Sequence, residues 1–261
     1  MSSFSKFEIE GRSAREYIDK LVANNIPKNV GGLSLVHALN PSGSIRSEFT
    51  ITRLSDGILG EKFFVVGPGA AHNIDLDFLQ KSLPKDGSVH LSDKTNQYGV
   101  FVLAGPNARS VLQKIADADI SNESFKWLSM QEIPIGFCPK VRAMRVNFVG
   151  SLGWELHHPI EYQLQLFEAL QEAGAEFEIK NVGMRAMDSM RLEKSYRLWG
   201  TDLNAENSAL EANLHRFIKL NKGEFTGRQA LVEQQEQGCL LYTSDAADEG
   251  LGVDLGGRRI I

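Results

Sequence analysis

The chain holds only two cysteines, Cys138 and Cys239, too few and too far apart for a disulfide framework or a thiolate metal site. That absence favours a reducing compartment over secretion. No apolar run approaches the roughly 18 residues of a membrane span, so no membrane partner is expected. Lys and Arg number 28 against 33 Asp and Glu, a net charge of −5, and the basic residues are scattered. A nucleic-acid binder would concentrate them, and that class is set aside. The six histidines form no ligand set: His157 and His158 are adjacent on a predicted strand and should point to opposite faces. Without a G-x-S-x-G elbow a nucleophilic triad has no anchor. Internal repeats and low-complexity segments are missing too. Met1-Ser-Ser-Phe-Ser-Lys-Phe-Glu-Ile-Glu10 alternates like a strand and lacks signal-peptide features, as if the chain began inside a folded unit.

What remains is an ordinary globular composition, 42% hydrophobic and 23% charged, long enough for one large domain or two modest ones. Alternation and turn signals predict strands over 4–9, 33–39, 45–53, 62–66, around His90, and over 98–104, 132–137 and 141–148. Apolar spacing of three and four predicts helices from Gly11 to Val22, then over 72–83, 106–115, 161–174 and 183–193, with a last one after Thr226. Strands and helices mix without strict βαβ alternation, so the expected fold class is α+β, with mixed, largely antiparallel sheets and flanking helices. Residues 1–238 read as one domain of two subdomains meeting near 92–98. From Cys239 the period is lost. Residues 239–261 read as an atypical tail, either disordered or a translated cloning artefact, and stay out of the fold reasoning.

Three segments carry candidate chemistry. Arg145-Val-Asn-Phe148-Val-Gly-Ser-Leu-Gly-Trp154-Glu155-Leu-His-His-Pro159 reads as strand, tight turn and strand, setting an aromatic ring beside a carboxylate. A carboxylate offers two acceptor oxygens in one plane, suited to the paired N–H donors on the edge of an amino-oxo-pyrimidine. The bland reading is a hairpin with Trp154 in the core and Glu155 in solvent. In Pro41-Ser-Gly-Ser-Ile-Arg46-Ser-Glu48-Phe-Thr-Ile-Thr-Arg53, Arg46, Glu48 and Thr50 share one strand face. There an acid close to Arg46 would stay ionised and could accept a proton; a solvated face is the alternative. Along Gly183–Leu203, Arg185, Asp188 and Glu193 sit at helical pairing distances, and Tyr196 and Trp199 fall beyond the helix end, lining either a cleft or a core. Phe63-Phe-Val-Val-Gly67-Pro-Gly69-Ala-Ala-His72, with Asp93 beyond, imitates a dinucleotide turn. Proline separates its glycines, however, and His72 stands in the third glycine's place, so a strand-to-helix turn is expected.

Taken in order, these segments resemble the folate-binding aminomethyltransferase family. That family includes the glycine-cleavage T-protein and the C-terminal folate modules of dimethylglycine and sarcosine dehydrogenases. The likeness runs from about Phe4 to Gln237 through His37-Ala-Leu-Asn-Pro-Ser-Gly43, Leu103-Ala-Gly-Pro-Asn-Ala-Arg109, Val149-Gly-Ser-Leu-Gly-Trp-Glu-Leu156, Met190-Arg-Leu-Glu-Lys-Ser-Tyr-Arg-Leu-Trp-Gly200 and Phe225-Thr-Gly-Arg-Gln-Ala-Leu231. The resemblance implies a ring of subdomains around a folate channel, here without the family's C-terminal β-barrel. By position Glu48 matches the acid beside the reacting folate nitrogens, and Glu155 the carboxylate gripping the pterin. Phe148, Tyr196 and Trp154 stand among the rings around the cofactor. Phe148 replaces a common tyrosine, and Met187 an arginine of the T-proteins. The implied cofactor is tetrahydrofolate, with FAD confined to a missing N-terminal dehydrogenase domain, the possible partner. The implied location is the mitochondrial matrix or the cytoplasm. The implied activity is one-carbon transfer from an oxidised N-methyl amine. Two alternatives stay open: a non-catalytic folate-binding scaffold, whose reactive Lys-Gly-Cys setting is Lys222-Gly223-Glu224 here, and a folate-dependent demethylase.

Overall fold

The computed structural model describes residues 3–238; the expectation for the tail at 239–261 lies outside the described residues. Strand β1 (Ser5–Gly11) sets the plan. Its period of two sends Phe7 and Ile9 to one face and Lys6, Glu8 and Glu10 to the other. It pairs antiparallel with β4 (Glu61–Gly67) and with β5 (His90–Asp93). β2 (Leu33–Leu39) and β3 (Ile45–Arg53) complete a five-stranded antiparallel sheet in the order β2-β3-β4-β1-β5. Helices α1 (Ala14–Leu21) and α2 (His72–Lys81) bury Tyr17, Ile18 and Leu79 against Phe7, Ile9, Phe49 and Phe63.

The first sheet ends at Asp93 and the second begins at Tyr98. β6 (Tyr98–Ala104), β7 (Met130–Ile135), β8 (Cys138–Met144) and β9 (Gly153–Pro159) form an antiparallel sheet in the order β6-β9-β8-β7. α3 (Ala108–Ile115) and α4 (Gln163–Gly174) cover the face that carries Val141, Ala143, Trp154 and Leu156.

The two faces left bare by the helices pack on each other. Phe64 and Val66 of β4 meet Met130 and Met144, and Thr52 Oγ1 lies 3.9 Å from Met144 Sδ. Layers therefore run helix, sheet, sheet, helix. The α+β class with antiparallel sheets is what the structure has, and no closed barrel occurs among the described residues.

The C-terminal stretch holds α5 (Met184–Leu192), a long irregular segment and α6 (Arg228–Gln237). Leu203, Leu210, Leu214, Phe225 and Leu231 make a third core against Leu39 and Ile45. Lys222 pins this stretch to the first subdomain. Its Nζ donates to the carbonyls of Asp19, Val22 and Asn24 at 2.8, 2.8 and 2.9 Å, at the C-terminal end of α1, where a cation is favoured. Glu224, two residues on, is exposed and lies 3.5 Å from Arg228.

Two local expectations need correcting. β8 stops at Met144, so Phe148 lies in a loop over 145–152 rather than on a strand, and no tight turn joins β8 to β9. The Asn147 side chain donates to Ser151 O and accepts from the Val149 amide, and Gly150 takes φ +67, which together close this wider loop. At the suspected dinucleotide turn, β4 passes through Pro68 into α2 as expected. A Cβ on Gly69 would lie 1.7 Å from Ser3 O, so glycine serves close packing there.

Candidate functional site between the two sheets

Glu155 occupies the third position of β9. Trp154 and Leu156, its neighbours, point into the helix-covered core, so strand alternation sends Glu155 and His157 toward the first sheet. Register confirms the direction, because Glu155 stands opposite Met144, which packs in the joint. Glu155 is 9% exposed, and its Oε2 lies 3.2 Å from His157 Nε2. His157 is wholly buried, with Phe64 of the first sheet edge-on at 5.5 Å. Burial holds its basicity below the usual histidine value, against the pull of Glu155 and together with the charges of Lys6 and Arg142.

Glu48 comes from the other sheet. On β3, Ser47, Phe49 and Ile51 face α1 and α2, whereas Thr52 touches Met144; Glu48 shares the face of Thr52. Four residues separate them, about 13 Å along a strand. Glu48 thus lies on the face of the first sheet that the joint uses farther along β3, and its partner His37 packs on Phe217 of the C-terminal stretch at 5.6 Å. Glu48 Oε2 lies 3.0 Å from Nε2 of His37, its register partner on β2, and His37 is fully buried. The expected pairing with Arg46 is not formed. Arg46 stacks over the Phe78 ring at 4.5 Å on the α2 side: Ser47 pairs with Ala38 and Ile45 with Leu39, so Arg46 is the extra residue of a bulge and leaves the alternation.

Phe148 and Tyr196 come together, ring centroids 6.3 Å apart and tilted by 36°. The loop carrying Phe148 is held against the end of α5, with the Lys194 stem over Gly150. Tyr196 follows a turn fastened by Arg191, which donates to Asp188 at 2.8 Å and also to Tyr196 O and Asp202. Asp188 therefore pairs with Arg191. Met187 is buried on α5.

Trp154 departs from its sequence expectation. It is fully buried, edge-on to Phe125 at 6.0 Å and flanked by the guanidinium of Arg109 at 5.3 Å. It is a core residue on the opposite side of the strand from Glu155, because consecutive strand residues cannot share a face. His157 and His37 escaped the sequence reading, although each had a signal: His157 sits two residues after Glu155, and His37 opposes Glu48 across a predicted hairpin. His158 faces away from His157, stacked on Phe101 at 5.0 Å. Among the described residues no group of His, Cys, Asp and Glu is arranged to hold a metal ion, and no helix is long and apolar enough to cross a membrane.

This two-sheet architecture defines a class. The family model "GCVT N-terminal domain" matches residues 1–222, and the chain belongs to that aminomethyltransferase family. Human mitochondrial dimethylglycine dehydrogenase is 38% identical over 256 residues, 95% of this chain and 29% of that protein. Mouse mitochondrial sarcosine dehydrogenase is 34% identical over 249 residues, 91% of this chain and 27% of that protein. The chain thus spans under a third of the length of these curated relatives. The crystal structure of the glycine cleavage system aminomethyltransferase T from Bartonella henselae superposes with a TM-score of 0.77 at 23% identity, covering 91% of this chain and 62% of that one, which shows the shared fold.

Proposed function

We propose that this chain is a tetrahydrofolate-dependent one-carbon transfer module, serving an N-methyl amine of the dimethylglycine or sarcosine type that a flavin-bearing dehydrogenase domain oxidises to an iminium. The observation that carries the reading is the pair of acids on facing sheets, Glu48 and Glu155, each with one oxygen engaged by a histidine. Among the described residues neither Oε1 accepts a hydrogen bond, so each acid keeps an acceptor for a ligand. Bound tetrahydrofolate supplies the nucleophilic nitrogen that receives the carbon, giving 5,10-methylenetetrahydrofolate and the demethylated amine.

Glu155 accepts the N–H donors of the pterin edge and sets its orientation. Phe148 and Tyr196 wall the ligand. Glu48 takes the proton released as the nitrogen bonds to carbon and counters the iminium charge. Fixing two reactants in this way can remove several kcal/mol of barrier. FAD belongs to the separate dehydrogenase domain, and the mitochondrial relatives favour the matrix as location.

The test supplies the chain with tetrahydrofolate while a flavin-dependent amine dehydrogenase oxidises dimethylglycine, and follows 5,10-methylenetetrahydrofolate. Production above the rate without the chain, falling to that rate in Glu48→Gln, is expected. Binding without any acceleration favours the non-catalytic folate-binding scaffold, and transfer only from a methylsulfonium favours the demethylase.

A further inference from the structure

His157 cannot be explained as packing alone. Its ring is wholly buried, Phe64 holds it edge-on, Nε2 meets Glu155 Oε2 at 3.2 Å, and Nδ1 is buried with no partner. An ionised carboxylate only accepts, so Nε2 carries the proton and Nδ1 is the bare nitrogen. Leaving a buried ring nitrogen unsatisfied is costly, and a core position would favour phenylalanine or leucine. The same arrangement recurs at His37, also fully buried, with Nε2 on Glu48 and Nδ1 unpartnered. Two acids from different sheets, each braced by a buried histidine, form a pattern that core packing alone does not produce.

We propose that His157 is a positioning residue for ligand binding: its Nε2–H fixes the Glu155 carboxylate in one rotamer, so that Oε1 is presented to the pterin edge. The inference rests on the folate reading above. Locking an acceptor beforehand removes the ordering cost that a free glutamate meets on binding. It also ties recognition to the joint between the sheets, because Phe64, on the first sheet, sets the plane of the ring that holds Glu155 on the second.

The test titrates the chain with tetrahydrofolate, using wild type, His157→Phe, His157→Gln, Glu155→Gln and the double variant Glu155→Gln/His157→Phe. Phenylalanine keeps the ring and removes the donor, while glutamine restores an N–H near the Nε2 position. Loss of a charge-assisted hydrogen bond predicts affinity about tenfold weaker in His157→Phe. Most of it should return in His157→Gln, and His157→Phe should add little on top of Glu155→Gln. A folded His157→Phe that binds like wild type overturns the proposal. So does an equal loss in the Glu155→Gln background, the mark of a merely structural role. A folded wild type that takes up no tetrahydrofolate overturns the folate reading together with this inference, a distinct outcome. Should His157→Phe fail to fold, the ring nitrogen-15 signals of wild-type His157 carry the test. They should show the Nε2-protonated tautomer and shift when tetrahydrofolate is added; signals unmoved by saturating ligand overturn it.

Discussion

Arg142 on β8 donates through Nη2 to Glu8 Oε1 on β1 at 2.8 Å, an ion pair closed inside the joint between the two sheets. Lys62 meets the other oxygen of Glu8 at 2.8 Å, and the Arg142 guanidinium lies over the rings of Phe64 and Tyr98. Removing Arg142 leaves the buried Glu8 with Lys62 alone and takes from Glu132 a donor at 3.1 Å. Arg142→Leu should therefore lower unfolding free energy by about 1.5–3 kcal/mol, the scale of a lost hydrogen bond to a charged group, in a denaturant titration. The pH dependence follows. Burial alone would raise the pKa of Glu8, but Lys62 and Arg142 outweigh it and hold Glu8 below its ordinary 4.5. A depressed folded-state value gives stability that is present above 4.5 and lost as pH falls through the lower value. Acid unfolding of Glu8→Gln should show a shallower loss below pH 4.5 than the wild type.

Trp154 makes a second prediction, because its ring fills the core under α3 rather than a ligand pocket. Trp154→Ala should cost about 3–5 kcal/mol by the cavity it leaves. Trp154→Phe, which keeps an aromatic ring, should melt lower while binding tetrahydrofolate as the wild type does. A weaker affinity with unchanged melting would return Trp154 to the ligand.

Asp75 on α2 is fully buried; Ser47 Oγ donates to its Oδ1 at 2.5 Å, and Oδ2 has no partner. Burial pushes its carboxyl from 3.8 up to about 6, against the lowering effect of Ser47, Arg46 and His72. A raised acid binds a proton in the folded state that the unfolded chain has released, so stability falls as pH rises from about 4 to above 6. Asp75→Asn should therefore gain in melting temperature relative to the wild type as pH moves from 5 to 7.5. An advantage independent of pH contradicts this account.

Lys222 tests the attachment of the C-terminal stretch. Lys222→Met leaves three carbonyls at the end of α1 without their shared donor, at a cost of about 1–3 kcal/mol for each buried group that water does not reach. Amide hydrogen exchange should quicken first over 199–231, where Phe225 and Leu231 pack on Leu39 and Ile45. Protection lost uniformly across both sheets would count against a local role.

β2 and β3 were legible to the residue, because Leu33–Leu39 and Ile45–Arg53 alternate and turn at Gly43. Glu48 and Glu155 stand on strands, as the alternation of their segments leads one to expect. What escaped was set by partners distant in sequence. Arg46 leaves Glu48 for Phe78 because it is the extra residue of a bulge between β2 and β3, which strand alternation in the sequence does not reveal. The loop over 145–152 looked like a continued strand, since Val146 and Phe148 keep the alternation while Asn147 hydrogen bonds break it. Trp154 was misassigned by proximity in sequence to Glu155, where the strand period alone places it on the other side.

The most direct measurement is calorimetric titration of the folded chain with tetrahydrofolate, wild type beside Glu155→Ala. Saturable binding at one site, weakened roughly tenfold to a hundredfold in a folded Glu155→Ala, is the outcome this account predicts. Equal affinity in both proteins, or no uptake by a folded wild type, contradicts it.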